Sequence, residues 1–418
     1  MKKKFSILGL GQTGLASALF LKRKGYEVFV SDAQTSVALE KRAETLKKEG
    51  ISFELGKHSP EKVGECDWAL VSPGIPPTSE IYRLLTQKKV PMVSELEVAS
   101  WHFTGEIIAV TGTSGKTTVT TLIDRILKAN GLASVSSGNI GNPWIGELEQ
   151  MKPETHVVLE ASSFQLLHTY SLRPQIGILI NLGLNHLDWH PTMDHYVAAK
   201  LRLFQSQKPE DMALIRAKDR EDFFPDYPFK AKVFHVEEEG KNFNEALLYQ
   251  FTKLKNLDPS KTKPVLDSFE GLEHRLERVG VIEGVSFVND SKCTTLEALT
   301  WGLEQFPDKK IVLLAGGHAK ANDFRPIRDL LSKKLKQAIV FGEARELLWE
   351  NWAGAAPLLR AADLKEAFET AKKSAQPGDV VLLSPACASF DQYSNYKERG
   401  EHFKKLVAES HLADVKRS

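Results

Sequence analysis

The sequence predicts an α/β protein of three domains, each built around a sheet of mainly parallel strands. Short apolar segments alternate with amphipathic stretches of helical period, which is the pattern of parallel strands covered by helices. A length of 418 residues is also large for one domain. The apolar segments fall into three groups, which place the domains at residues 1–94, 95–270 and 271–418.

Several of the segments predicted as strands end directly in Gly, Ser, Asp or Asn, and ligands of open α/β sheets bind at those carboxyl ends. The segments, in chain order, are KFSILGL, EVFVSD, DWALVSPG, EIIAVTG, HVVLEAS, IGILINL, KIVLLAGG, QAIVFG and DVVLLSP. Residues 206–270 are polar and less informative, and KNLDPSKTKP at 255–264 predicts a loop.

Composition excludes some broad classes of partner. The formal net charge is +1, so no global charge favours nucleic acid or a membrane surface. Three cysteines are too few for a disulfide framework, and no apolar run reaches the ~18 residues of a membrane span. The opening MKKK is followed by glycines rather than a cleavage site. We expect a cytoplasmic monomer that binds neither nucleic acid nor membrane.

The segment TGTSGKTT at 111–118 predicts a phosphate-binding loop. It lies between a predicted strand and a predicted helix, where backbone N–H groups and the helix dipole favour an anion. Lys116 would reach the β and γ phosphates, and the Thr117 hydroxyl would contact Mg²⁺. The longer Walker pattern would need Gly at Val110, so the loop is short; an ordinary tight turn is the alternative.

A second glycine motif, GLGQTG at 9–14, follows the first strand. With Asp32 at the end of the next strand, it matches a dinucleotide-binding fingerprint. Three interpretations stay open from these residues: a dinucleotide site, a site for another phosphate-bearing ligand, or a turn whose glycines only allow helix packing.

Acidic and histidine side chains after two central strands suggest a metal site. Glu160 ends the strand HVVLE, and Asn185, His186 and Asp188 follow IGILI. A solvated or capping glutamate and an ordinary loop histidine are the alternatives.

Lys200 is predicted on the apolar face of a helix, because Val197, Lys200 and Phe204 follow the i, i+3, i+4 rule. An unpaired ammonium is costly to bury, so Lys200 must extend to solvent, pair with an acid, lose its proton or be modified. Taken alone, the pattern favours extension to solvent.

Eight segments, in this order, resemble the Mur ligase family over nearly the whole chain: TGTSGKTT, SSGNIGNP, LEASSFQL, YVAAKLRLF, HRLE, VNDSKCTT, LLAGG and LLSPACASFDQYSNYKERG. The resemblance implies a Rossmann-like N-terminal domain, a central P-loop ATPase-like domain with a parallel sheet, and a Rossmann-like C-terminal domain. It also implies ATP-driven joining of D-glutamate to UDP-N-acetylmuramoyl-L-alanine, with two Mg²⁺ ions, in cytoplasmic peptidoglycan synthesis. The first glycine loop would then hold UDP rather than NAD.

The resemblance assigns roles to individual residues. For catalysis it implies Lys116, Glu160, His186, Lys200 and Arg275. For ATP it implies Gly112, Thr113, Ser114, Gly115, Lys116, Thr117, Thr118, Asn244, Arg275 and Asp290. For the UDP-sugar it implies Gln12, Thr13, Ser72, Gly74, Asn139, Ser162, Gln165 and His186. For D-glutamate it implies Lys292, Thr294, Lys320, Ser389, Phe390 and Tyr396. For Mg²⁺ it implies Thr117, Glu160, His186 and a carbamylated Lys200.

Five positions depart from the family pattern: Ala33, Gln34, Asn185, Thr295 and His318. Ala33 and Gln34 concern the contacts with uridine, Asn185 concerns the second Mg²⁺, and Thr295 and His318 concern the amino-acid site. Two alternative functions stay open, namely another Mur or folylpolyglutamate-type ligase, and a nucleotide-gated NAD-binding protein.

Overall fold

The computed structural model describes residues 3–183, 189–236, 243–269, 271–319 and 321–415. Within them lie three sheets, and the predicted α/β class is confirmed because two of these sheets are entirely parallel. All nine apolar segments predicted as strands are strands. The limits of the three domains stay predictions.

The first sheet has five parallel strands in the order β3-β2-β1-β4-β5. Its strands are β1 (Lys4–Leu8), β2 (Glu27–Asp32), β3 (Ser52–Leu55), β4 (Trp68–Val71) and β5 (Met92–Val93). The helices of this part are α1 (Gln12–Arg23), α2 (Val37–Lys48), α3 (Pro60–Gly64), α4 (Glu80–Gln87) and α5 (Glu95–Ser100). The carboxyl end of β1 leads directly into the first glycine loop.

The second sheet has six parallel strands in the order β11-β10-β9-β6-β8-β7. Its strands are β6 (Ile107–Thr111), β7 (Ser134–Gly138), β8 (His156–Glu160), β9 (Ile176–Leu179), β10 (Met212–Arg216) and β11 (Lys232–Val236). Its helices are α6 (Lys116–Ala129), α7 (Trp144–Glu147), α8 (Ser163–Leu166), α9 (Met193–Leu201), α10 (Ala217–Phe223), α11 (Phe243–Leu254) and α12 (Pro259–Asp267). Every residue of β6 is buried, as expected for a parallel strand covered on both faces.

The third sheet is mixed, in the order β12-β13-β17-β14-β15-β16. Its strands are β12 (Glu277–Ile282), β13 (Val285–Asn289), β14 (Ile311–Gly316), β15 (Leu335–Phe341), β16 (Leu358–Arg360) and β17 (Val380–Leu383). Its helices are α13 (Leu296–Glu304), α14 (Arg328–Lys334), α15 (Arg345–Trp352), α16 (Leu364–Ser374) and α17 (Tyr396–Val415). Only β12 runs antiparallel, and Glu283 and Gly284 turn the hairpin with positive φ at both positions.

The chain divides into two compact units, Met1–Phe269 and Glu270–Ser418. In the first unit the two sheets share one apolar core, in which Phe5 and Leu166 belong to the same cluster of buried side chains. In the second unit, helices cover both faces of the mixed sheet with separate apolar clusters.

The prediction of a loop over residues 255–264 is wrong for most of that segment. Helix α12 begins at Pro259 because the Asp258 side chain accepts a hydrogen bond from the Ser260 amide, and proline is tolerated in a first helical turn. Thr262, inside this helix, is buried against Thr252 of α11. Tertiary packing therefore overrides a composition typical of loops.

None of the helices in the described ranges combines the length and the apolar character that crossing a membrane requires.

Candidate active site

The predicted phosphate loop joins β6 to α6, as the sequence indicates. Gly115 lies at the amino end of α6 with φ +78°, a conformation that favours glycine, and the first turn of α6 contains no acidic residue. The Lys116 ammonium donates to the carbonyl oxygens of Gly112 at 2.9 Å and Thr113 at 3.0 Å. The loop therefore holds a cation and a helix amino terminus together, which is an arrangement suited to phosphate.

Two further predicted ATP contacts are positioned within the first unit. The Asn244 side chain borders the loop, because a Cβ added to Gly115 would lie 3.5 Å from its Nδ2. Thr118 is the third residue of α6. Arg275 and Asp290 belong to the second unit.

Asn181, which the sequence did not single out, holds the first half of the loop. Its Oδ1 accepts the amides of Thr113 at 3.1 Å and Ser114 at 2.9 Å, and its Nδ2 donates to the Ser114 carbonyl at 3.2 Å. Its backbone carbonyl accepts the Thr113 amide as well. No sequence signal marks this contact, since the partners are 67 and 68 residues apart.

Lys200 is 1% exposed, so the expectation that it extends to solvent is wrong. Its Nζ donates to the Gly112 carbonyl at 2.7 Å and lies 4.6 Å from the centre of the Tyr196 ring. Burial, and then the charge of Lys116, lower the pKa of Lys200 well below its ordinary value. Loss of the proton is therefore easier for Lys200 than for an exposed lysine, and the unprotonated amine is the form that reacts with electrophiles.

Glu160 lies beside the phosphate loop because β8 pairs with β6, with Glu160 opposite Val110. The residue is 1% exposed, and its Oε1 accepts a hydrogen bond from Nδ2 of Asn139 at 2.8 Å. Its Oε2 is buried without a hydrogen-bond partner among the described residues. A buried carboxylate oxygen in this condition suits a cation, and the hydroxyl of Thr117, the second residue of α6, is of the oxygen type that Mg²⁺ prefers.

Residues Ser162 and Gln165, predicted to contact the UDP-sugar, form a capping box at the start of α8. The Ser162 hydroxyl donates to Oε1 of Gln165 at 2.9 Å. Ser163, next in the chain, lies 3.0 Å from Nε2 of the buried His190, a histidine that the sequence analysis missed. His186, like Asn185 and Asp188, lies outside the described residues.

The first glycine loop packs closely against β4. A Cβ added to Gly9 would lie 2.7 Å from Oγ of Ser72, and one added to Gly14 would lie 1.9 Å from the Gly9 carbonyl oxygen. The Ser72 hydroxyl is buried without a hydrogen-bond partner in the part of the chain that is described. These glycines therefore serve close packing, and Ser72 keeps a polar atom at the strand end.

Asp32 stabilises the same loop through its carboxylate. One oxygen accepts the Leu10 amide at 2.7 Å and the other accepts the Gln34 amide at 2.9 Å. Both oxygens of the acid that would mark a dinucleotide site thus already bind backbone.

The substrate residues predicted on the two sheets of the first unit approach one another. Gln12 and Thr13 begin α1, and Nε2 of Gln12 donates to Oδ1 of Asn142 at 3.3 Å. Asn142 follows Asn139 in the turn after β7, while Gly74 is exposed after β4. The structure therefore brings Gln12 close to the turn that carries Asn139.

In the second unit, Asp290 is nearly buried after β13. It accepts hydrogen bonds from the Ser384 hydroxyl at 2.7 Å and from the Leu276 amide at 3.3 Å. Burial raises its pKa to about 7. Arg275 precedes Leu276 in a turn where His274 and Leu276 both have positive φ, so Asp290 orders the turn that carries Arg275.

The residues predicted to bind D-glutamate are partly brought together. Nζ of Lys292 lies 5.6 Å from the centre of the Tyr396 ring. Ser389 is buried and Phe390 is 69% exposed, next to each other in the loop after β17. Thr294 lies in the turn before α13, and Lys320 is outside the described residues.

Arg399 of α17 joins the loops that carry these residues. It is fully buried and donates to carbonyl oxygens of Ser291, Gly316, Cys387 and Ala388 and to the Ser291 hydroxyl. Burial lowers its pKa to about 10. Arg399 lies in the motif LLSPACASFDQYSNYKERG, but the sequence alone did not indicate this role.

The fold and these sites define the class of protein: a Mur ligase, an ATP-dependent enzyme that forms amide bonds. Three family profiles match, namely the MurD N-terminal domain at residues 4–81, the Mur ligase middle domain at 110–267 and the Mur ligase glutamate ligase domain at 274–387. The predicted family resemblance and three-domain organisation are confirmed.

Relatives that match over nearly their whole length show to which group of Mur ligases the chain belongs. UDP-N-acetylmuramoylalanine--D-glutamate ligase of Aquifex aeolicus is 35% identical over 427 residues, covering 97% of this chain and 98% of that protein. The enzyme of the same name from Desulfovibrio desulfuricans is 37% identical, and the match covers 96% of this chain and 95% of that protein. This chain belongs to the family of UDP-N-acetylmuramoylalanine--D-glutamate ligases.

A solved structure supports the fold alone. MurF ligase from Thermotoga maritima, in complex with ADP, is 17% identical with a TM-score of 0.58, and the match covers 92% of this chain and 95% of that one.

Proposed function

We propose that this chain joins D-glutamate to the alanyl carboxylate of UDP-N-acetylmuramoyl-L-alanine, using ATP and releasing ADP and phosphate. The observation that carries the proposal is the phosphate loop of β6 and α6 beside the buried Glu160, whose Oε2 has no hydrogen-bond partner among the described residues. Family membership supports the choice of both co-substrates.

The first step would transfer the γ-phosphoryl group of ATP to the alanyl carboxylate, giving an acyl phosphate. Both reacting groups are anions, so the site must offset charge and hold them in line. Lys116 and the amino end of α6 supply positive potential on the phosphate side. Arg275 would act on the γ-phosphate, as the family pattern implies.

Glu160 and the hydroxyl of Thr117 would hold one Mg²⁺ ion. When bound, Mg²⁺ neutralises charge on the phosphate oxygens. Glu160 fits this role because Asn139 fixes one of its oxygens and leaves the other without a described partner.

Lys200 would serve as a carbamate. Its unprotonated nitrogen would attack CO₂ and release one proton, which turns a buried amine into an anion beside Lys116. With His186, that carbamate would hold a second Mg²⁺. The low pKa and the full burial of Lys200 support the modification.

In the second step the amine of D-glutamate would attack the acyl phosphate. The tetrahedral intermediate collapses with phosphate as the leaving group, and no covalent enzyme intermediate is needed. Lys292, Thr294, Lys320, Ser389, Phe390 and Tyr396 would bind the amino acid. Gln12, Thr13, Ser72, Gly74 and Asn139 would contact the UDP-sugar, with Ser162 and Gln165 shaping the turn beside it.

A phosphate-release assay tests the function. The purified chain, with ATP, Mg²⁺ and UDP-N-acetylmuramoyl-L-alanine, should release phosphate with D-glutamate and much less with L-glutamate, L-alanine or diaminopimelate. A preference for another amino acid or acceptor would support another Mur or folylpolyglutamate-type ligase. Binding of NADH without any release of phosphate would support the NAD-binding alternative.

A further inference from the structure

The phosphate loop of this chain is shorter than the common Walker loop. The common pattern places its first glycine five residues before the second, whereas Gly112 precedes Gly115 by three. A shorter loop has fewer residues with which to fix its own shape. Some other group must therefore hold its first half in place.

The side chain of Asn181 occupies that position. Oδ1 accepts the amides of both Thr113 and Ser114, and Nδ2 donates to the carbonyl of Ser114. Asn181 thereby satisfies both polar groups of the Ser114 backbone. An amide side chain supplies the acceptor and the donor that this geometry needs, and no aliphatic or acidic side chain has both.

Gly112 allows the close approach on which these bonds depend. A Cβ at this position would lie 3.2 Å from Cβ of Ile180 and 3.3 Å from the Asn181 backbone nitrogen. The first glycine of the short loop therefore gives room to the chain after β9, and Asn181 lies two residues after β9 ends at Leu179.

Neighbouring bonds reinforce the same contact. The Thr113 hydroxyl accepts the Gly183 amide at 3.0 Å and lies 3.0 Å from the Tyr196 hydroxyl. The loop is thus fixed from the side of β9 and α9, while α6 begins on its other side.

We propose that Asn181 is a positioning residue for ATP binding: its side-chain amide braces the shortened phosphate loop in the shape that receives the nucleotide. The inference rests on the proposed function, because it takes ATP as the ligand of this loop. Asn181 acts on the loop backbone rather than on the reacting atoms.

Two variants distinguish an effect of Asn181 on the position of the phosphate loop from an effect on the stability of the fold. Asn181→Ala removes all the side-chain bonds, each of which corresponds to a factor of roughly 2 to 12 in an equilibrium. We expect KM for ATP and Kd for ADP to rise about 10- to 100-fold. KM for the UDP-sugar and for D-glutamate should change by less than about 3-fold.

Asn181→Asp retains the acceptor for the two amides but loses the donor and adds a negative charge near the triphosphate. We expect the amides of Thr113 and Ser114 to stay hydrogen-bonded while ATP binds more weakly, with the loss reduced by added salt. Hydrogen exchange of a peptide covering residues 111–118 distinguishes the two effects. The Ser114 amide should lose protection in Asn181→Ala and keep it in Asn181→Asp, while the Thr113 amide keeps its bond to the Asn181 backbone carbonyl in both variants.

Asn130→Ala is the matched control. Asn130 also uses both ends of its amide, donating to the Ile126 carbonyl and accepting the Asp258 amide, but it lies at the far end of α6. It should leave KM for ATP and the exchange of the loop unchanged.

The proposal is overturned if Asn181→Ala binds ADP as tightly as the parent chain, or if all three KM values and the melting temperature shift together. Failure of the parent chain itself to bind ADP would instead refute the proposed function.

Discussion

Two lysine side chains share one backbone oxygen in the candidate active site. Nζ of Lys116 and Nζ of Lys200 both donate to the Gly112 carbonyl, at 2.9 and 2.7 Å. Two ammonium groups this close repel, and the buried one loses its proton more readily. Conversion of Lys200 to a carbamate would replace this repulsion with attraction. The same pair of residues can therefore be unfavourable before modification and favourable after it.

Replacing Lys200 tests the carbamate. We expect Lys200→Ala to lose activity by about 100-fold or more, since a metal ligand would be missing. Added acetate or formate should restore part of it, because a small carboxylate can occupy the vacated volume, whereas bicarbonate should not. Phosphate release measured with and without each anion checks this. Lys128→Ala, which removes a surface lysine of α6 paired with Asp124, should retain full activity and show no response.

Replacing Lys116 tests the role of charge in the phosphate loop. Lys116→Ala should reduce kcat on the order of 10²- to 10³-fold, because one positive charge facing the transferring group is lost. The fold should remain intact, since Lys116 is only half-buried and its hydrogen bonds to Gly112 and Thr113 lie within its own loop. Kinetics and thermal melting measured on the same sample check both parts. Ordinary turnover in this variant would contradict the assignment.

At the scale of elements, the carboxyl ends of three strands in the second unit depend on Arg399. Its donors reach the last residue of β14 and the loops after β13 and β17, and residues predicted to bind D-glutamate follow all three strands. No carboxylate bonds this guanidinium among the described residues, so carbonyl dipoles stabilise its charge. Helix α17 therefore fixes the relative positions of three loops.

We expect Arg399→Lys to raise KM for D-glutamate more than KM for ATP, since an ammonium has three donors and cannot reach three loops at once. Arg399→Ala should destabilise the second unit by about 3 kcal/mol or more, because several buried carbonyls lose their donor. Urea unfolding and steady-state kinetics measure the two effects. Arg360→Ala, which removes an exposed ion pair with Glu346 and a contact with the Trp349 ring, should cost much less than Arg399→Ala, about 1 kcal/mol.

The strands that could be predicted from the sequence are continuous apolar segments in the interiors of the sheets. All nine predicted strands are buried in the interiors of the sheets or end at a loop that carries a predicted site residue. Strands such as β7 (SVSSG) and β11 (KVFHV) were missed because they lie at sheet edges, where one face is polar and hydrophobic periodicity is weak. Edge strands are defined by their neighbours rather than by their own residues.

The residues of the candidate site also fall into those that the sequence predicts and those that it does not. Lys116 and Glu160 were predictable, because a loop after a strand has a local signature. Asn181 and Arg399 were not, since their partners lie far away in the chain and their bonds go to backbone atoms, which carry no sequence signal. The roles of the predicted residues stay predictions until the variants are measured.

At the scale of the whole first unit, the two sheets are joined through α5 and α7. Glu95, at the start of α5, is buried, and one of its oxygens accepts the Ile145 amide of α7 at 2.6 Å. Helix α7 also packs on α1, with Ala16 next to Gly146. A single carboxyl group thus lies at the contact between α5 and α7. Burial raises its pKa from an ordinary value of 4.5 to about 7.

This shift makes the stability of the first unit depend on pH. Between pH 4.5 and 7 the folded state binds a proton that the unfolded state has released, so the free energy of unfolding falls as pH rises. Above pH 7 the cost of keeping the ionised carboxylate buried is fully present, at most about 3 kcal/mol. Below pH 4.5 it is absent, because the carboxyl is protonated in both states.

Glu95→Gln removes the charge and keeps the oxygen that accepts the Ile145 amide. We therefore expect the free energy of unfolding of the variant, measured with urea, to exceed that of the parent chain by up to about 3 kcal/mol at pH 8 and by less than about 1 kcal/mol at pH 5. Glu154→Gln, at an exposed position before β8, should change neither value. Equal stability of Glu95→Gln and the parent chain at pH 8 would mean that the buried carboxylate is stabilised by its surroundings. The contact between α5 and α7 would then not depend on protonation of Glu95.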